Sequence, residues 1–528
     1  MPADWANKRL LPAFEAPNHL DVYDIRDAAY DVQLSITTMT GLVNRQQPRI
    51  YLLSNDDAHA LLNTILNHIP STLVPIKAES VLDDLLQKYR HHISGMIIYD
   101  PAMLDSVNVA TTLAGARDAI VVLPRQAEAL QSPPHQLPVL ADLRIYSWQN
   151  RLQAYRWAIH NLLPEASDRL VAGMHPQIPG GLRSFLVATR AFVYWLDPRF
   201  QLPNPLYSWK VERCLLKQIL RRYAPGTPHF GWFMYEGQGV KLASKAAMPV
   251  LPSDYFFNLE VWTAVQPSQQ KELAGQRGNI AAETNTTTTG RQVSPKVYVS
   301  FTISDGDNLQ FNQHRMYRFW QDPTRGSIPI GWTISPALIQ AAPTLAAYYL
   351  QTATPDDELI AGPSGAGYIS PPKWPKKHLP SFLQLTGSLM QQMRLSIIEV
   401  LDATPPLLRP FIHHSWPKKY ARALSPFGVQ GILKGDSYHH TAWSSIQGIP
   451  VLQNLGLSSS KEMTLQLIRK NTPPNLQRPQ FINVYIHAWS MTPSDIKAVI
   501  QTFGSQYEVV TPGKLLAMIA ESQVKVCE

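Results

Sequence analysis

From Val297 onward the chain alternates short apolar segments with helical patterns, and this rhythm constrains its fold more than any other feature. Strands are expected at Val297–Ile303, Ile328–Ile334, Glu358–Ala361, Leu395–Leu401, Gln430–Lys434, Ile449–Leu452, Phe481–His487 and Tyr507–Val510. Helical patterns such as Ala337–Leu350 and Leu379–Met393 lie between them. About eight strands in roughly 230 residues suit a closed (β/α) barrel. An open doubly wound sheet is the alternative, since periodicity does not reveal closure. A TIM-like (β/α) barrel is therefore expected over residues 296–528.

The region before it also reads as α/β, with parallel-sheet character. Arg49–Leu53, Gly95–Tyr99 and Ala119–Leu123 have strand character, and helical patterns cover Asp57–His68 and Val107–Arg117. Strand, helix, strand at this spacing implies a parallel unit with a crossover. A further strand is expected at Pro138–Leu143, and helices at Trp148–Leu162, Ser184–Leu196 and Val211–Tyr223. No glycine-rich phosphate loop joins these segments, so a nucleotide role gains no support. Three small α/β segments are expected, at 1–94, 95–165 (Rossmann-like) and 166–265. The polar stretch 266–295, with little to bury, reads as a linker.

With 528 residues the chain is long enough for several cores, and 45% hydrophobic against 16% charged residues marks it as globular. The net charge of +8 arises from scattered basic residues. Doublets such as Arg221-Arg222 are too short to track phosphates, so nucleic acid is not an expected partner. No apolar run approaches the ~18 residues of a membrane span, so no membrane partner is expected. No signal peptide is evident, which makes a cytoplasmic setting the default. Cys214 and Cys527 are far apart and have no metal-ligand spacing.

In a β/α barrel the reactive groups stand at the C-terminal ends of strands. The first strand ends in Ser304-Asp305-Gly306-Asp307-Asn308, two carboxylates divided by one glycine. They suit acid/base chemistry, a sugar hydroxyl or a divalent cation; the blander reading is a helix N-cap, which accounts for only one acid. The third strand leads into the loop Gly362–Pro371, which holds Gly362, Gly365 and Gly367 with Pro363 and Pro371, and where Tyr368 is placed as a stacking platform or hydroxyl donor. Glu399 lies inside an apolar run, costly unless paired, while Asp402 stands at the end of that strand. Asp436 ends the fifth strand. In the seventh, Asn483, Tyr485 and His487 alternate with apolar residues, so this polar face is expected to line the interior, with His487 nearest the open end. Glu236 follows an aromatic segment and is read either as a site carboxylate or as part of a surface turn.

The run Gly365-Ala366-Gly367-Tyr368-Ile369-Ser370-Pro371 resembles the motif that names the GxGYxYP family of putative glycoside hydrolases, with Ser370 in place of its second tyrosine. Gly41-Leu42-Val43-Asn44-Arg45, Gly231-Trp232 running to Glu236, Ser253-Asp254, Asn258 and the Ser304–Asn308 element resemble the same family in the same order. The resemblance implies several N-terminal α/β parts ahead of a sugar-processing barrel, with an oligosaccharide or polysaccharide as partner.

Glycoside hydrolysis needs two carboxyl groups flanking the scissile bond. Asp305 or Asp307, with Asp402 or Asp436 across the mouth, are the candidate catalytic residues. Asn308, Gly365, Gly367, Tyr368, His487, Glu236 and Asp254 are the candidate substrate-binding residues. No cofactor is expected, and a divalent cation at Asp305/Asp307 is the alternative. Two competing functions are a metal-dependent polysaccharide deacetylase and a non-catalytic carbohydrate-binding protein with Tyr368, Trp332, Trp374 and Trp489 as a stacking surface.

Overall fold

The computed structural model describes residues 9–199, 209–267, 293–402 and 415–524. Most of the expected linker, and Cys527, lie outside these residues. The chain divides into two compact units, residues 1–266 with 340–344, and the remainder.

The N-terminal unit holds three small parallel sheets, each with its first strand in a central place. Leu20–Asp24 lies between Ile50–Leu53 and Ser71–Leu73, and Gly95–Ile98 between Ala119–Val122 and Val139–Asp142. Val171–Gly173 lies between Phe192–Tyr194 and His229–Gly231, with Val250–Leu251 beyond. One strand order thus recurs three times. The helix expected over Ser184–Leu196 is shorter: it spans Arg183–Ala188, and Phe192–Tyr194 is a strand. Arg190 adopts φ 55°, a left-handed conformation that a helix cannot propagate through. The aromatic and β-branched residues after it suit an extended chain.

The family-like segments of this unit form packing seams. A Cβ on Gly41 would lie 2.3 Å from the Ser184 carbonyl oxygen, so only glycine lets the helix Tyr30–Val43 approach this closely. Asn44 Oδ1 accepts from the N–H groups of Arg49 (2.9 Å) and Ile50 (3.0 Å). Its Nδ2 donates to the Ile50 carbonyl (2.9 Å) and to Glu260 Oε1 (3.1 Å). Glu260 is fully buried and also accepts from Ser184 Oγ at 3.1 Å. Burial raises its pKa above the ordinary carboxyl value. Asn258, at φ 53°, bonds both backbone groups of Leu52 at 3.0 Å and so extends the sheet with a side chain.

In the C-terminal unit the eight expected segments are strands: β1 (Val297–Ser304), β2 (Ile330–Ile334), β3 (Asp357–Ala361), β4 (Ile397–Val400), β5 (Gly431–Tyr438), β6 (Ile449–Ser458), β7 (Gln480–His487) and β8 (Tyr507–Val509). Seven, β1 to β7, close into a parallel barrel. β7 pairs with β1 along its whole length, Val297 to Ser304. The other edge of β1 is shared, β8 taking Val297–Val299 and β2 only Thr302 and Ile303. The eighth strand therefore fills the lower gap instead of joining the ring. Trp443–Ile446 adds an antiparallel strand on β6.

The barrel interior changes character along its axis. At the N-terminal end, Tyr298, Ile360, Ile397, Leu433, Leu452 and Phe481 pack with Leu515, Leu516 and Ile519 of the C-terminal helix Pro512–Val524. That helix closes the end of the barrel with apolar side chains. Gly431 makes room for it, since a Cβ there would lie 2.5 Å from Leu516 Cδ1. The other end is polar.

Candidate active site

Ser300, Thr302 and Ser304 project from one face of β1, in register with Asn483, Tyr485 and His487 of β7. Asn483 Oδ1 accepts from Ser300 Oγ (2.7 Å) and Thr302 Oγ1 (3.0 Å), and its Nδ2 donates to Asn454 Oδ1 at 2.8 Å. Asn454 Nδ2 in turn donates to Glu399 Oε1 (2.9 Å). The Ser304 hydroxyl donates to Glu399 Oε2. Glu399, fully buried, thus ends a hydrogen-bonded chain drawn from β1, β4, β6 and β7. Its pairing resolves the difficulty that its place in an apolar run posed.

The mouth lies one residue further out. Asp305 Oδ1 accepts the Asp307 N–H at 2.8 Å, and its Oδ2 lies 3.7 Å from His487 Nε2. His487 Nδ1 lies 2.6 Å from Ser490 Oγ. Desolvation lowers the His487 pKa below its ordinary value, so the ring is predominantly neutral at pH 7. Asp307 is the N-cap of the short helix Asn308–Gln313, but its carboxylate makes no capping bond. Asn308 Nδ2 donates to Thr333 Oγ1 (2.9 Å), whose own hydroxyl reaches the Ile303 carbonyl (3.2 Å). That fixes the amide orientation and leaves the buried Asn308 Oδ1 with no hydrogen-bond partner among the described residues.

The glycine-rich loop after β3 is buried from Gly362 through Ser370, Gly365 and Gly367 included. Ser364 donates its N–H to the Glu399 carbonyl (2.8 Å), and its own carbonyl accepts from Tyr420 Oη (2.9 Å). Gly365 adopts φ 127°, and a Cβ there would lie 2.6 Å from Thr386 Oγ1. Ser370 Oγ donates to the Asp402 carbonyl at 2.8 Å. The residue that replaces the motif's second tyrosine therefore props the backbone that carries Asp402.

Several expectations need correction. Tyr368 is 2% exposed, so its ring is no open stacking platform. Trp332 and Trp374 are also buried: Trp332 packs on Trp320 and donates to Asp357 Oδ1, and Trp374 packs on Phe382. Of the four aromatics only Trp489 is exposed, so they form no shared stacking surface. Flat rings read as ligand platforms in sequence, whereas here Trp320 and Phe382, both on helices, pack against Trp332 and Trp374.

Asp402 is buried at the end of β4. Asp436 lies in β5, and its side chain falls outside what the structure describes. Glu236 opens the helix Glu236–Lys245 and Asp254 is buried, both in the N-terminal unit. Among the described residues no three His, Cys, Asp or Glu side chains are grouped to hold a metal ion. No helix among them is long and apolar enough to cross a membrane. Sequence reading did not single out Ser304, Asn454 or Ser490; the alternation of polar residues along β1 was the available signal for Ser304.

Four family models match in succession: the GxGYxYP_N first domain over residues 19–91, the second domain over 93–166, the third over 168–264, and the GxGYxYP putative glycoside hydrolase C-terminal domain over 295–520. A crystal structure of a putative hydrolase from Bacteroides thetaiotaomicron VPI-5482 is similar in fold, with TM-score 0.80 and 22% identity over 99% of this chain and 98% of that one. A putative polysaccharide deacetylase from Mycobacterium smegmatis (TM-score 0.31, 10% identity, 45% of this chain and 93% of that one) is too distant to carry an argument. Comparison with curated proteins finds no match. Four domain models in order along nearly the whole chain establish that it belongs to the GxGYxYP family.

Proposed function

We propose that this chain is a glycoside hydrolase whose reacting carboxyl groups come from opposite sides of the barrel mouth, Asp305 after β1 and Asp402 after β4. The observation that supports this reading is the Ser304–Glu399 hydrogen bond, which joins β1 to β4 through the barrel interior close to both strand ends. Asp305 follows Ser304 directly, and Asp402 follows Glu399 by three residues. Asp307 and Asp436 are the remaining carboxyl groups of these strand ends. The substrate class is an oligosaccharide or polysaccharide, as the name of the C-terminal domain model suggests.

In such a site one carboxylic acid protonates the leaving glycosidic oxygen as the bond to the anomeric carbon breaks. The other, ionised, either attacks that carbon or takes a proton from the water that does. A separation near 5–5.5 Å gives retention, and about 6.5–9.5 Å leaves room for water and gives inversion. His487, 3.7 Å from Asp305, is the proposed polar contact for a sugar hydroxyl, and Asn308, three residues after Asp305, is a second candidate. The buried glycine loop acts as a rigid support for the Asp402 strand end.

The test is a panel of aryl glycosides and natural oligosaccharides with the wild type and the variants Asp305→Asn, Asp307→Asn, Asp402→Asn and Asp436→Asn, their folding checked by circular dichroism. Loss of about 10²-fold or more in kcat/KM for Asp305→Asn and Asp402→Asn is expected. Full turnover by a folded Asp305→Asn variant would remove this residue from the mechanism.

A further inference from the structure

We propose that Ser490 is a positioning residue of this site, holding the His487 imidazole so that its Nε2–H faces the Asp305 carboxylate. The inference rests on the glycosidase reading above and deepens it by giving Asp305 a role.

The imidazole has a polar neighbour at each nitrogen: Nδ1 is hydrogen-bonded to Ser490 Oγ at 2.6 Å, and Nε2 lies 3.7 Å from Asp305 Oδ2. A neutral ring carries one proton, so the two nitrogens are not equivalent. With the proton on Nδ1, Nε2 would turn a lone pair toward a carboxylate oxygen. With the proton on Nε2, that N–H points at Asp305 while Nδ1 accepts from the Ser490 hydroxyl. A hydroxyl donates or accepts equally well, whereas an ionised carboxylate only accepts. Only the second tautomer keeps the Ser490 hydrogen bond while turning an N–H, and not a lone pair, toward the carboxylate.

The turn that carries Ser490 is held from two sides. Its N–H donates to the His487 carbonyl at 3.1 Å. Arg315, in the segment after β1, donates to the carbonyls of Ala488 (3.3 Å) and Trp489 (3.4 Å). Asp305 Oδ2 faces the ring edge at 3.7 Å, and Arg315 lies on the backbone side of the turn. Burial of the ring favours its uncharged form.

Asp305 consequently accepts the Asp307 N–H at Oδ1 (2.8 Å), and its Oδ2 faces the imidazole N–H at 3.7 Å, a charge–dipole contact longer than a hydrogen bond. Such an environment suits an ionised carboxylate and not a proton donor. Asp305 is therefore the base or nucleophile of the proposed reaction, and the proton for the leaving oxygen comes from the carboxyl group across the mouth.

The experiment is long-range 1H–15N correlation NMR of histidine-labelled protein at pH 7.5, with His487→Gln to assign the signal. Wild type and Ser490→Thr are expected to show a single Nε2–H tautomer. Ser490→Ala frees the ring to turn away from Asp305, so the tautomers should mix. On any glycoside that the panel identifies, kcat should fall about tenfold or more with KM little changed, and Ser490→Thr should recover most of the loss. An Nδ1–H tautomer in the wild type, or a Ser490→Ala spectrum identical to it, overturns the proposal. If the tautomers follow expectation but no glycoside is turned over, the positioning of Asp305 stands and the glycosidase reading alone fails.

Discussion

Ser304 donates its hydroxyl hydrogen bond to Glu399, tying β1 to β4 through the barrel interior as well as around its ring. The Glu399 carboxyl also accepts from Asn454 Nδ2. Replacing Glu399 by alanine would leave the buried Ser304 hydroxyl without this acceptor and Asn454 Nδ2 with the Gly435 carbonyl at 3.2 Å, and would open a cavity beneath the mouth. The expected loss is on the order of 3 kcal/mol, with Glu399→Gln closer to the wild type because it retains one acceptor. Urea unfolding followed by tryptophan fluorescence would measure both, and equal stability of Glu399→Ala and wild type would contradict the network.

Glu260 gives the N-terminal unit a pH dependence of definite sign. Its pKa is raised by burial above the reference value of 4.5, so the folded state binds this proton more readily than the unfolded chain does. Its contribution to stability is fully present below 4.5 and declines as pH rises toward the folded value. Glu260→Gln keeps an acceptor for Asn44 and should lack this decline. Its thermal midpoint should gain on that of the wild type as pH increases from 4 to 8, and parallel profiles would argue against the assignment.

Gly41 faces the Ser184 carbonyl at a distance that admits no side chain. Gly41→Ala is expected to destabilise the N-terminal unit by about 1–3 kcal/mol, because the backbone of Ser184 cannot step aside as a side chain would. Differential scanning calorimetry of the variant would register the shift. An unchanged profile would mean that the seam is more pliable than its geometry implies.

Ser370 is buried and bonded to the Asp402 carbonyl. Restoring the tyrosine of the family motif by Ser370→Tyr should overpack the loop, with a loss of about 1–3 kcal/mol. Ser370→Ala should lose about 1 kcal/mol, the worth of one hydrogen bond. A Ser370→Tyr variant at least as stable as the wild type would show that the loop retains room for the ring.

Short apolar runs separated by helical patterns made the eight barrel segments legible, because strands buried on both faces read as near-continuous apolar stretches. Alternation also indicated which face of β7 turns inward: Asn483 is bonded to Ser300 and Thr302, and His487 reaches the mouth. The helix expected across Ser184–Leu196 failed because one left-handed residue, Arg190, interrupts an apolar run that a helix or a strand would fit equally well. Tyr368 was misread as open for a related reason. Sequence distinguishes an aromatic ring from a polar group but does not say what covers it.

Sequence by itself determined that this chain builds small parallel α/β parts ahead of a long succession of alternating strands and helices, since strand and helix periods and turn residues are local properties. Tertiary structure alone decided that seven strands close and the eighth does not, because ring closure depends on how two partners divide one edge of β1. It also decided that Glu399 meets Ser304, and that His487 stands between Ser490 and Asp305. Hydrogen bonds between residues far apart in the chain depend on distance and direction in space, and those arise only when the backbone is folded.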